Sequence, residues 1–269
     1  MFEKFIEKTF IINLQESIYR YNSSLFELSK YNITNFEFIK AFDPKSKKLK
    51  ELYKSKMVMG FPPCFRCKKE KCDHENNILI PRQIANFLSF KLVMEKIAST
   101  YSNGLFLILE DDFYFKNFSK HGLKTLANFS VKNNLSNIKR PVLLRIGSHT
   151  LSRRTINWKM KYLHKTTVTK NNFNMANPGF IVNNEFAKLF LDNFNKIETT
   201  SDDFIHKQLC KEYDVLNFSF EPFIIGQYSY GSENNYFISD IGYTKKDKNN
   251  KQRVRSETEY KQLLNLWIN

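Results

Sequence analysis

One run of residues constrains the fold more than any other: five apolar residues that lead straight into three carboxylates. Leu105 to Leu109 is followed directly by Glu110, Asp111 and Asp112. An unbroken apolar run of this length is typical of a strand that is buried on both faces. Because charges are costly to bury, the acids are expected at the carboxyl end of the strand, where open α/β sheets bind ligands. Carboxylates there can hold a hard divalent cation, and an acidic turn after a strand is the plain alternative.

The surrounding segments indicate an α/β fold. Phe10 to Leu14 and Phe36 to Ala41 are typical of strands, and Ile18 to Lys30 between them has helical periodicity. This succession of strand, helix and strand indicates a parallel sheet. A helix that begins at Pro81 leads into the acidic strand. Later patterns predict a mostly helical stretch, three strands and three helices: Phe113 to Ser136, Val142 to Gly147, Asn177 to Val182, Glu185 to Asn195, a helix capped by Ser201, Val215 to Phe220, and Ser256 to Trp267.

The net charge of +15 predicts a surface that attracts polyanions, from nucleic acid to an anionic membrane face or phosphorylated sugars. The chain has no apolar run long enough to span a membrane. Its first residues lack the apolar block of a signal peptide. We therefore expect a cytoplasmic protein, with a peripheral position at the inner membrane face as an option.

Three of the four cysteines cluster with a histidine in a Lys-rich segment, residues 43–80, which interrupts the α/β pattern. The cluster consists of Cys64, Cys67, Cys72 and His74. Three thiols and an imidazole suit a tetrahedral, structural Zn²⁺ ion, whereas reduced surface thiols are the alternative. The short spacing between the last two candidates is unusual, so Cys210 is kept as an alternative fourth ligand.

In order and spacing, several segments resemble glycosyltransferase family 25, which includes lipo-oligosaccharide and procollagen galactosyltransferases. The apolar strand with its acidic triplet is the most specific of them. The matching segments are Phe10 to Leu14 with Arg20, Phe38 to Asp43, Gln83 to Asp112, Asn177 to Lys188, Asp202 or Asp203, Glu221 to Gln227, and Ser239 to Ile241. The chain departs from the family pattern at Phe90, where the family has a histidine, and in the 43–80 segment.

The resemblance implies a GT-A-like fold: one domain over residues 1–243 with a Rossmann-type, mostly parallel sheet flanked by helices and a Cys-rich insertion. Residues 244–269 would add a basic loop and a C-terminal helix packed on the same domain. The implied activity is the transfer of galactose or glucose from a UDP-sugar to a hydroxyl of a glycan acceptor. Lipopolysaccharide or lipo-oligosaccharide is the expected acceptor, and inversion is the expected stereochemical outcome.

Under this resemblance the acidic triplet divides its roles. Glu110 and Asp112 are two residues apart on an extended segment, so they should face the same side and bind Mn²⁺ or Mg²⁺. Asp111 would point the other way, toward backbone or ribose. Asn13 and Arg20 are further candidates for the nucleotide site, although Arg20 could equally be a solvated helix residue.

An inverting transfer needs a general base that takes the proton of the acceptor hydroxyl. Asp202 and Asp203 are the candidates for this base, and the alternative is that they are ordinary acids in the first turn of a helix. The base is expected on the side of the sugar opposite the metal ion. Arg145, at the end of a predicted strand, is expected at the surface, with a position near the site as the alternative.

Two other classes of function compete with the transferase. The first is a zinc protein that binds nucleic acid or another polyanion through basic loops at 148–170 and 245–255. That hypothesis leaves the acidic strand end unexplained because carboxylates repel phosphates, so no specific nucleic acid is expected. The second is a transferase-like scaffold without activity, for which Phe90 is the one indication.

Overall fold

The computed structural model describes residues 5–116, 119–147, 167–170, 178–228 and 254–269. Within these residues seven strands form one central sheet: β1 Lys8–Asn13, β2 Phe36–Lys40, β3 Leu105–Glu110, β5 Val142–Arg145, β6 Thr167–Lys170, β7 Gly179–Asn183 and β8 Leu216–Glu221. Their spatial order is β2-β1-β3-β7-β5-β8-β6. Two short strands, β4 Phe113–Phe115 and β9 Ile225–Gln227, pair antiparallel in a separate sheet.

Five strands of the central sheet run in one direction. β2, β1 and β3 pair in parallel, and so do β5 and β8, whereas β7 and β6 run against their neighbours. The predicted α/β fold with a mostly parallel sheet is therefore confirmed. Because β1 and β3 are aligned up to Ile12 and Glu110, Asn13 and the acidic triplet leave the sheet at the same edge.

The apolar run of β3 is buried on both faces, as its composition predicts. Phe106 and Ile108 belong to the core on one side of the sheet, whereas Leu105, Leu107 and Leu109 belong to the core on the other side. None of the five side chains is more than 1% exposed. Alternation along the strand thus divides the run between two cores, and the chain reaches solvent only where the carboxylates begin.

Helices flank the sheet on both sides. Their bounds are α1 Ile18–Ser29, α2 Lys47–Lys54, α3 Pro81–Thr100, α4 Ser119–Lys132, α5 Asn184–Asp192, α6 in three parts, and α7 Glu257–Ile268. The parts of α6 are the α-helical Ser201–Asp203, the π-helical Phe204–Gln208 and the α-helical Leu209–Glu212. The predicted start of α3 at Pro81 is confirmed, but α6 is capped by Thr200 rather than Ser201.

The stretch after the acidic triplet differs from its prediction as a mostly helical region. Residues 113–115 form β4, and the helix begins only at Ser119. β4 pairs with β9, which follows it by more than a hundred residues along the chain. Local periodicity cannot reveal this pairing, because the stability of β4 comes from a distant partner.

The 43–80 segment is more than the polar insertion that its lysines predict. It contains α2 and buries apolar side chains that include Leu49, Val58 and Phe65. The ring of Tyr53 lies 5.8 Å from that of Trp267 on α7, measured between centroids. Both ends of this segment therefore pack on the rest of the chain, and the C-terminal helix packs on the segment.

Several predicted features lie wholly or mostly outside the described residues. They are the basic stretch at 148–172 apart from β6, the turn residue Asn177, the segment Ser239 to Ile241, and the basic loop at 245–253. Within the described ranges, no helix is both long and apolar enough to cross a membrane. The predicted division at residues 243 and 244 stays a prediction.

Candidate active site

The acidic turn after β3 directs two carboxylates toward one point. The side-chain amide of Gln227 donates to Glu110 Oε2 and to Asp112 Oδ1, in both cases over 3.1 Å. A single nitrogen can reach both oxygens only if the two side chains converge. The predicted common orientation of Glu110 and Asp112 is therefore present, and Gln227 on β9 occupies the point between them.

Two hydrogen bonds to its backbone carbonyls hold the acidic turn from two sides. The backbone N–H of Tyr228 donates to the Asp112 carbonyl over 2.7 Å, and the Ser24 hydroxyl donates to the Asp111 carbonyl over 3.1 Å. At Gly226 a Cβ atom would lie 2.4 Å from the ring of Tyr114. At this position any larger residue would displace the Tyr114 ring, so the glycine lets β9 and the ring pack closely.

Asp111 points away from this pair and is bound by two side chains. Arg20 Nη1 donates to Asp111 Oδ1 over 2.9 Å, and Asn13 Nδ2 donates to Asp111 Oδ2 over 2.8 Å. Burial raises the pKa of Asp111 to about 6, although Arg20 opposes the rise. Arg20 is 9% exposed, so it is not a solvated helix residue. The three residues join α1, β1 and the acidic turn.

The start of α6 lies beside Glu110. The Ser201 hydroxyl donates to Asn86 Oδ1 over 2.6 Å, and Asn86 Nδ2 donates to Glu110 Oε1 over 3.0 Å. Asp202 is close enough that its charge raises the pKa of Glu110. Burial, followed by the charge of Asp203, raises the pKa of Asp202 itself to about 7. The structure therefore places one predicted base candidate close to the predicted metal pair, although the base was expected on the opposite side of the sugar.

Asp203 faces a different environment. The Thr199 hydroxyl donates to Asp203 Oδ2 over 3.4 Å. The backbone N–H of Asp203 donates to the side-chain oxygen of Thr200, which caps the helix. The other carboxylate oxygen, Oδ1, is buried and has no hydrogen-bond partner in the described part of the chain. Its contacts are those of a residue in the first turn of a helix.

The carboxylates of the acidic turn repel one another when they are ionised. Burial raises the pKa of Glu110 well above its ordinary value, and the charges of Asp112 and Asp202 raise it further. A divalent cation would relieve this repulsion, and carboxylate oxygens are ligands that Mg²⁺ and Mn²⁺ prefer. The residues present therefore fit such an ion, which Glu110 and Asp112 would hold from one side.

The acids form one wall of a cleft whose other walls are apolar and basic. Arg82, which is exposed, and Arg20 line it together with polar residues of α3. The complete lining is Ile12, Leu14, Arg20, Ala41, Phe42, Pro44, Arg82, Ala85, Asn86, Ser89, Glu110, Asp111, Asp112 and Gln227. A cleft with cation-binding oxygens beside guanidinium groups has the chemistry to bind a diphosphate.

Two sequence-based interpretations change on inspection of the structure. Phe90 is fully buried, and its ring centroid lies 5.7 Å from that of Phe180, so its side chain belongs to the core. Arg145 was expected at the surface, and that expectation is wrong. It is 1% exposed, and its Nε donates to His206 Nδ1 over 2.9 Å. A charge at a strand end indicates exposure only when no distant partner can satisfy it.

Sequence reasoning assigned no role to Gln227, Asn86 or Arg82. Gln227 and Asn86 each stood inside a segment of the family resemblance. Their place in those segments was the signal in the sequence that could have pointed to these two residues. Their roles depend on contacts between residues far apart in the chain, which spacing alone does not reveal.

The cysteine cluster predicted from the sequence is assembled in space. Candidate ligand atoms of Cys64, Cys67, Cys72 and His74 all lie within 4.8 Å of one another. A hydrogen bond from the backbone N–H of Lys69 lowers the pKa of the Cys67 thiol. Cys210 does not belong to the cluster: its Sγ lies 3.8 Å from Arg145 Nη2. The alternative with Cys210 as fourth ligand is therefore wrong.

A mostly parallel sheet with converging carboxylates and arginines at one edge defines an α/β enzyme whose ligand binds beyond the carboxyl ends of the strands. The model of glycosyltransferase family 25, described as a lipopolysaccharide (LPS) biosynthesis protein, matches residues 6–205. This match covers most of the chain, and the chain belongs to glycosyltransferase family 25. The protein is thus a glycosyltransferase, as predicted. No curated protein matches it.

The matched range contains most of the site but ends before β9. The acidic turn, the start of α6 and the cysteine cluster all lie within it. Gln227, which contacts both Glu110 and Asp112, lies beyond it, as do the predicted segments Glu221 to Gln227 and Ser239 to Ile241.

Proposed function

We propose that this glycosyltransferase moves galactose or glucose from a UDP-sugar to a hydroxyl of a glycan acceptor, with the help of Mn²⁺ or Mg²⁺. The observation that carries the proposal is the convergence of Glu110 and Asp112 on one point of a cleft lined by Arg20 and Arg82. The family supports glycosyl transfer in general. The donor, the cation and the acceptor are the proposed parts.

Glu110 and Asp112 would hold the cation, which when bound neutralises charge on the leaving diphosphate. When the ion binds, we expect the side-chain amide of Gln227 to move out from between the two carboxylates. Arg82 lies at the rim of the cleft and is free of the buried contacts that hold Arg20, so it is our candidate for direct contact with a phosphate.

Asn13, Arg20 and Asp111 remain our proposed nucleotide-binding residues, with a division of roles. Asp111 uses its two oxygens to accept from Asn13 and Arg20, so its main effect is to fix the acidic turn. Arg20 also lines the cleft and can present its guanidinium to the nucleotide from that fixed position. Loss of either the Arg20 guanidinium or the Asn13 amide would leave the buried carboxylate of Asp111 with fewer hydrogen-bond donors.

Asp202 is our proposed general base, in preference to Asp203. Asp202 lies close enough to Glu110 for its charge to raise the pKa of that carboxyl, whereas the contacts of Asp203 are those of a residue in the first turn of a helix. With a pKa of about 7, Asp202 is partly ionised at neutral pH and can accept the proton of the acceptor hydroxyl. Inversion is proposed from the family resemblance.

A glycan of the lipopolysaccharide type is the proposed acceptor, because the matched family is described as a lipopolysaccharide biosynthesis protein. Such acceptors carry anionic groups, which a chain with a net charge of +15 would attract. A cytoplasmic location at the inner membrane face stays a prediction from this charge.

The competing hypotheses have less support. The buried, like-charged acids of the cleft would repel a nucleic acid. Phe90, which suggested an inactive scaffold, is a core residue packed on Phe180.

The proposal is tested by release of UDP from a panel of UDP-sugars, each measured with Mn²⁺, Mg²⁺ or EDTA. We expect one donor to be hydrolysed slowly without acceptor, and only with a divalent cation. Asp112→Asn should abolish this turnover, whereas Asp214→Asn, whose side chain is 82% exposed, should retain it. Cation-independent turnover, or equal turnover of both variants, would remove the basis of the assignment.

A further inference from the structure

The cysteine cluster offers a closed set of four ligands. Cys64 is fully buried and Cys67 and Cys72 are half-buried, while His74 is exposed. Cys64 Sγ and His74 Nδ1 lie 3.7 Å apart, a spacing that one tetrahedral ion can bridge with bonds of about 2.0–2.3 Å. Thiolate and imidazole ligands favour Zn²⁺ over the hard cations that suit the acidic cleft.

We propose that Cys64, Cys67, Cys72 and His74 bind one Zn²⁺ ion, and that this ion orders the segment that supports two walls of the acidic cleft. The ion would touch no substrate. The zinc site itself stands independently of the proposed donor and acceptor, whereas its effect on turnover rests on the proposed function.

The backbone around the first two cysteines forms a tight, hydrogen-bonded turn. The N–H of Cys64 donates to the Lys69 carbonyl over 3.0 Å, and the N–H of Lys68 donates to the Cys64 carbonyl over 2.9 Å. Lys68 has a φ of 59°, in the left-handed region that non-glycine residues rarely adopt. The turn therefore holds an unfavourable conformation that an ion bound to both cysteines would stabilise.

The same segment supports the start of α6. The N–H of Met59 donates to the Ile197 carbonyl over 2.8 Å, and the N–H of Ile197 donates to the Met57 carbonyl over 2.9 Å. Lys68 Nζ donates to the Glu198 carbonyl over 3.2 Å. The residues so held lead directly to Thr200, the cap of the helix that carries Asp202.

The other end of the segment leads into α3 and holds the C-terminal helix. Asn77 exchanges two hydrogen bonds with Val254, of 2.7 and 2.9 Å, and the Tyr53 hydroxyl donates to the Leu79 carbonyl over 3.0 Å. Pro81 then begins the helix that presents Arg82 and Asn86 to the cleft. Order in the cysteine segment is thus transmitted to both helices that flank Glu110.

The first experiment measures zinc in the purified, full-length protein by mass spectrometry of the metal. We expect one zinc per chain in the wild type and less than half of that in Cys67→Ser and Cys72→Ser. Cys210→Ser is the matched control, because this thiol lies outside the cluster, and it should keep one zinc. Replacement with Co²⁺ should give the visible bands of a tetrahedral thiolate complex. A wild type without zinc, or cluster variants with full zinc, would overturn the site.

The second experiment measures hydrogen exchange of wild-type protein, Cys67→Ser and Cys210→Ser. In Cys67→Ser we expect at least a tenfold loss of protection in residues 57–80, 197–203 and 254–268, with α4 unchanged. Unchanged exchange at 197–203 despite the loss of zinc would overturn the supporting role. If Cys67→Ser does not fold, removal of zinc from the wild type by a chelator gives the same comparison.

The two proposals fail in different ways. Zinc content and hydrogen exchange need no sugar donor, so they decide the zinc site even if no UDP-sugar is a substrate. Conversely, Mn²⁺-dependent turnover with a zinc-free wild type would preserve the proposed function and refute the zinc site.

Discussion

The acidic cleft and the cysteine cluster are two candidate metal sites built in opposite ways. The cluster takes its four ligands from residues 64–74, whereas the cleft gathers Arg20, Glu110, Asp112 and Gln227 from three separate parts of the chain. Soft ligands in a closed set give a permanent ion that stabilises the fold. Crowded carboxylates in an open cleft instead destabilise the fold until a cation arrives, which suits an ion that binds together with its substrate.

The largest effect is expected from a change in the cleft. Asp112→Asn removes one of the two converging carboxylates and should lower turnover by at least about 10³-fold, or about 4 kcal/mol. The measurement is UDP release under saturating Mn²⁺ and donor. Asp214→Asn serves as the control. A loss below about tenfold would mean that Asp112 does not bind the ion.

The contrast between the sites sharpens when stability is measured without added cation. Cys67→Ser should lower the melting temperature by about 5 °C or more, because a structural metal is lost. Glu110→Gln should not lower it, because burial and the charges of Asp112 and Asp202 disfavour the ionised carboxylate that this change removes. The check is thermal unfolding of both variants in the same buffer. If Glu110→Gln unfolds as early as Cys67→Ser, the cleft is a structural site as well.

The effect of pH on cation binding should follow from the raised pKa values. Asp111 and Asp202 titrate near 6 and 7 in the folded state, above the ordinary carboxyl range of about 4. The stability they contribute is present at low pH and is lost as the pH rises through these values. Burial and the charges of Asp112 and Asp202 also raise the pKa of Glu110, one of the two proposed cation ligands. Because a cation binds the ionised form of that carboxyl, Mn²⁺ should raise the melting temperature more at pH 8 than at pH 5.5. Equal shifts at both pH values would contradict this account, and Glu110→Gln should show little shift at either.

The smallest effect is expected at the anchor of the acidic turn. Arg20→Lys keeps a positive charge beside Asp111 but loses the geometry of the guanidinium, at a cost of about 1–2 kcal/mol of stability. The donor KM should rise while turnover at saturation falls less. Steady-state kinetics and thermal unfolding check the two parts, and Tyr19→Ala on the same helix, at a position that is 86% exposed, is the control. An unchanged KM would mean that Arg20 does not help to position the nucleotide site.

The sequence predicts features that depend on neighbouring residues. The run from Leu105 to Asp112 predicts a strand that is buried on both faces and ends in acids, because apolar content and length are local properties. The cysteine cluster is local for the same reason. Both could be found without the fold, and both lie where the sequence predicts them.

Features that depend on distant contacts could not be found this way. Gln227 reaches the acids only because β9 pairs with β4. Arg145 is buried because His206 and Asn217 satisfy its guanidinium from other elements. Thr200 rather than Ser201 caps α6, while Ser201 binds Asn86 on α3. In each case the polar group is bound by a residue that lies far away along the chain, so the spacing of neighbouring residues does not reveal the contact.

The central claim is that Glu110 and Asp112 bind a cation that in turn holds a nucleotide-sugar. The most direct measurement is the melting temperature of wild-type protein and Asp112→Asn with UDP-galactose or UDP-glucose, each with and without Mn²⁺. A ligand that binds only the folded state raises this temperature by mass action. The account predicts that one UDP-sugar stabilises the wild type only when Mn²⁺ is present, and that Asp112→Asn loses this shift. Stabilisation by the sugar nucleotide without Mn²⁺, or an undiminished shift in Asp112→Asn, would contradict it.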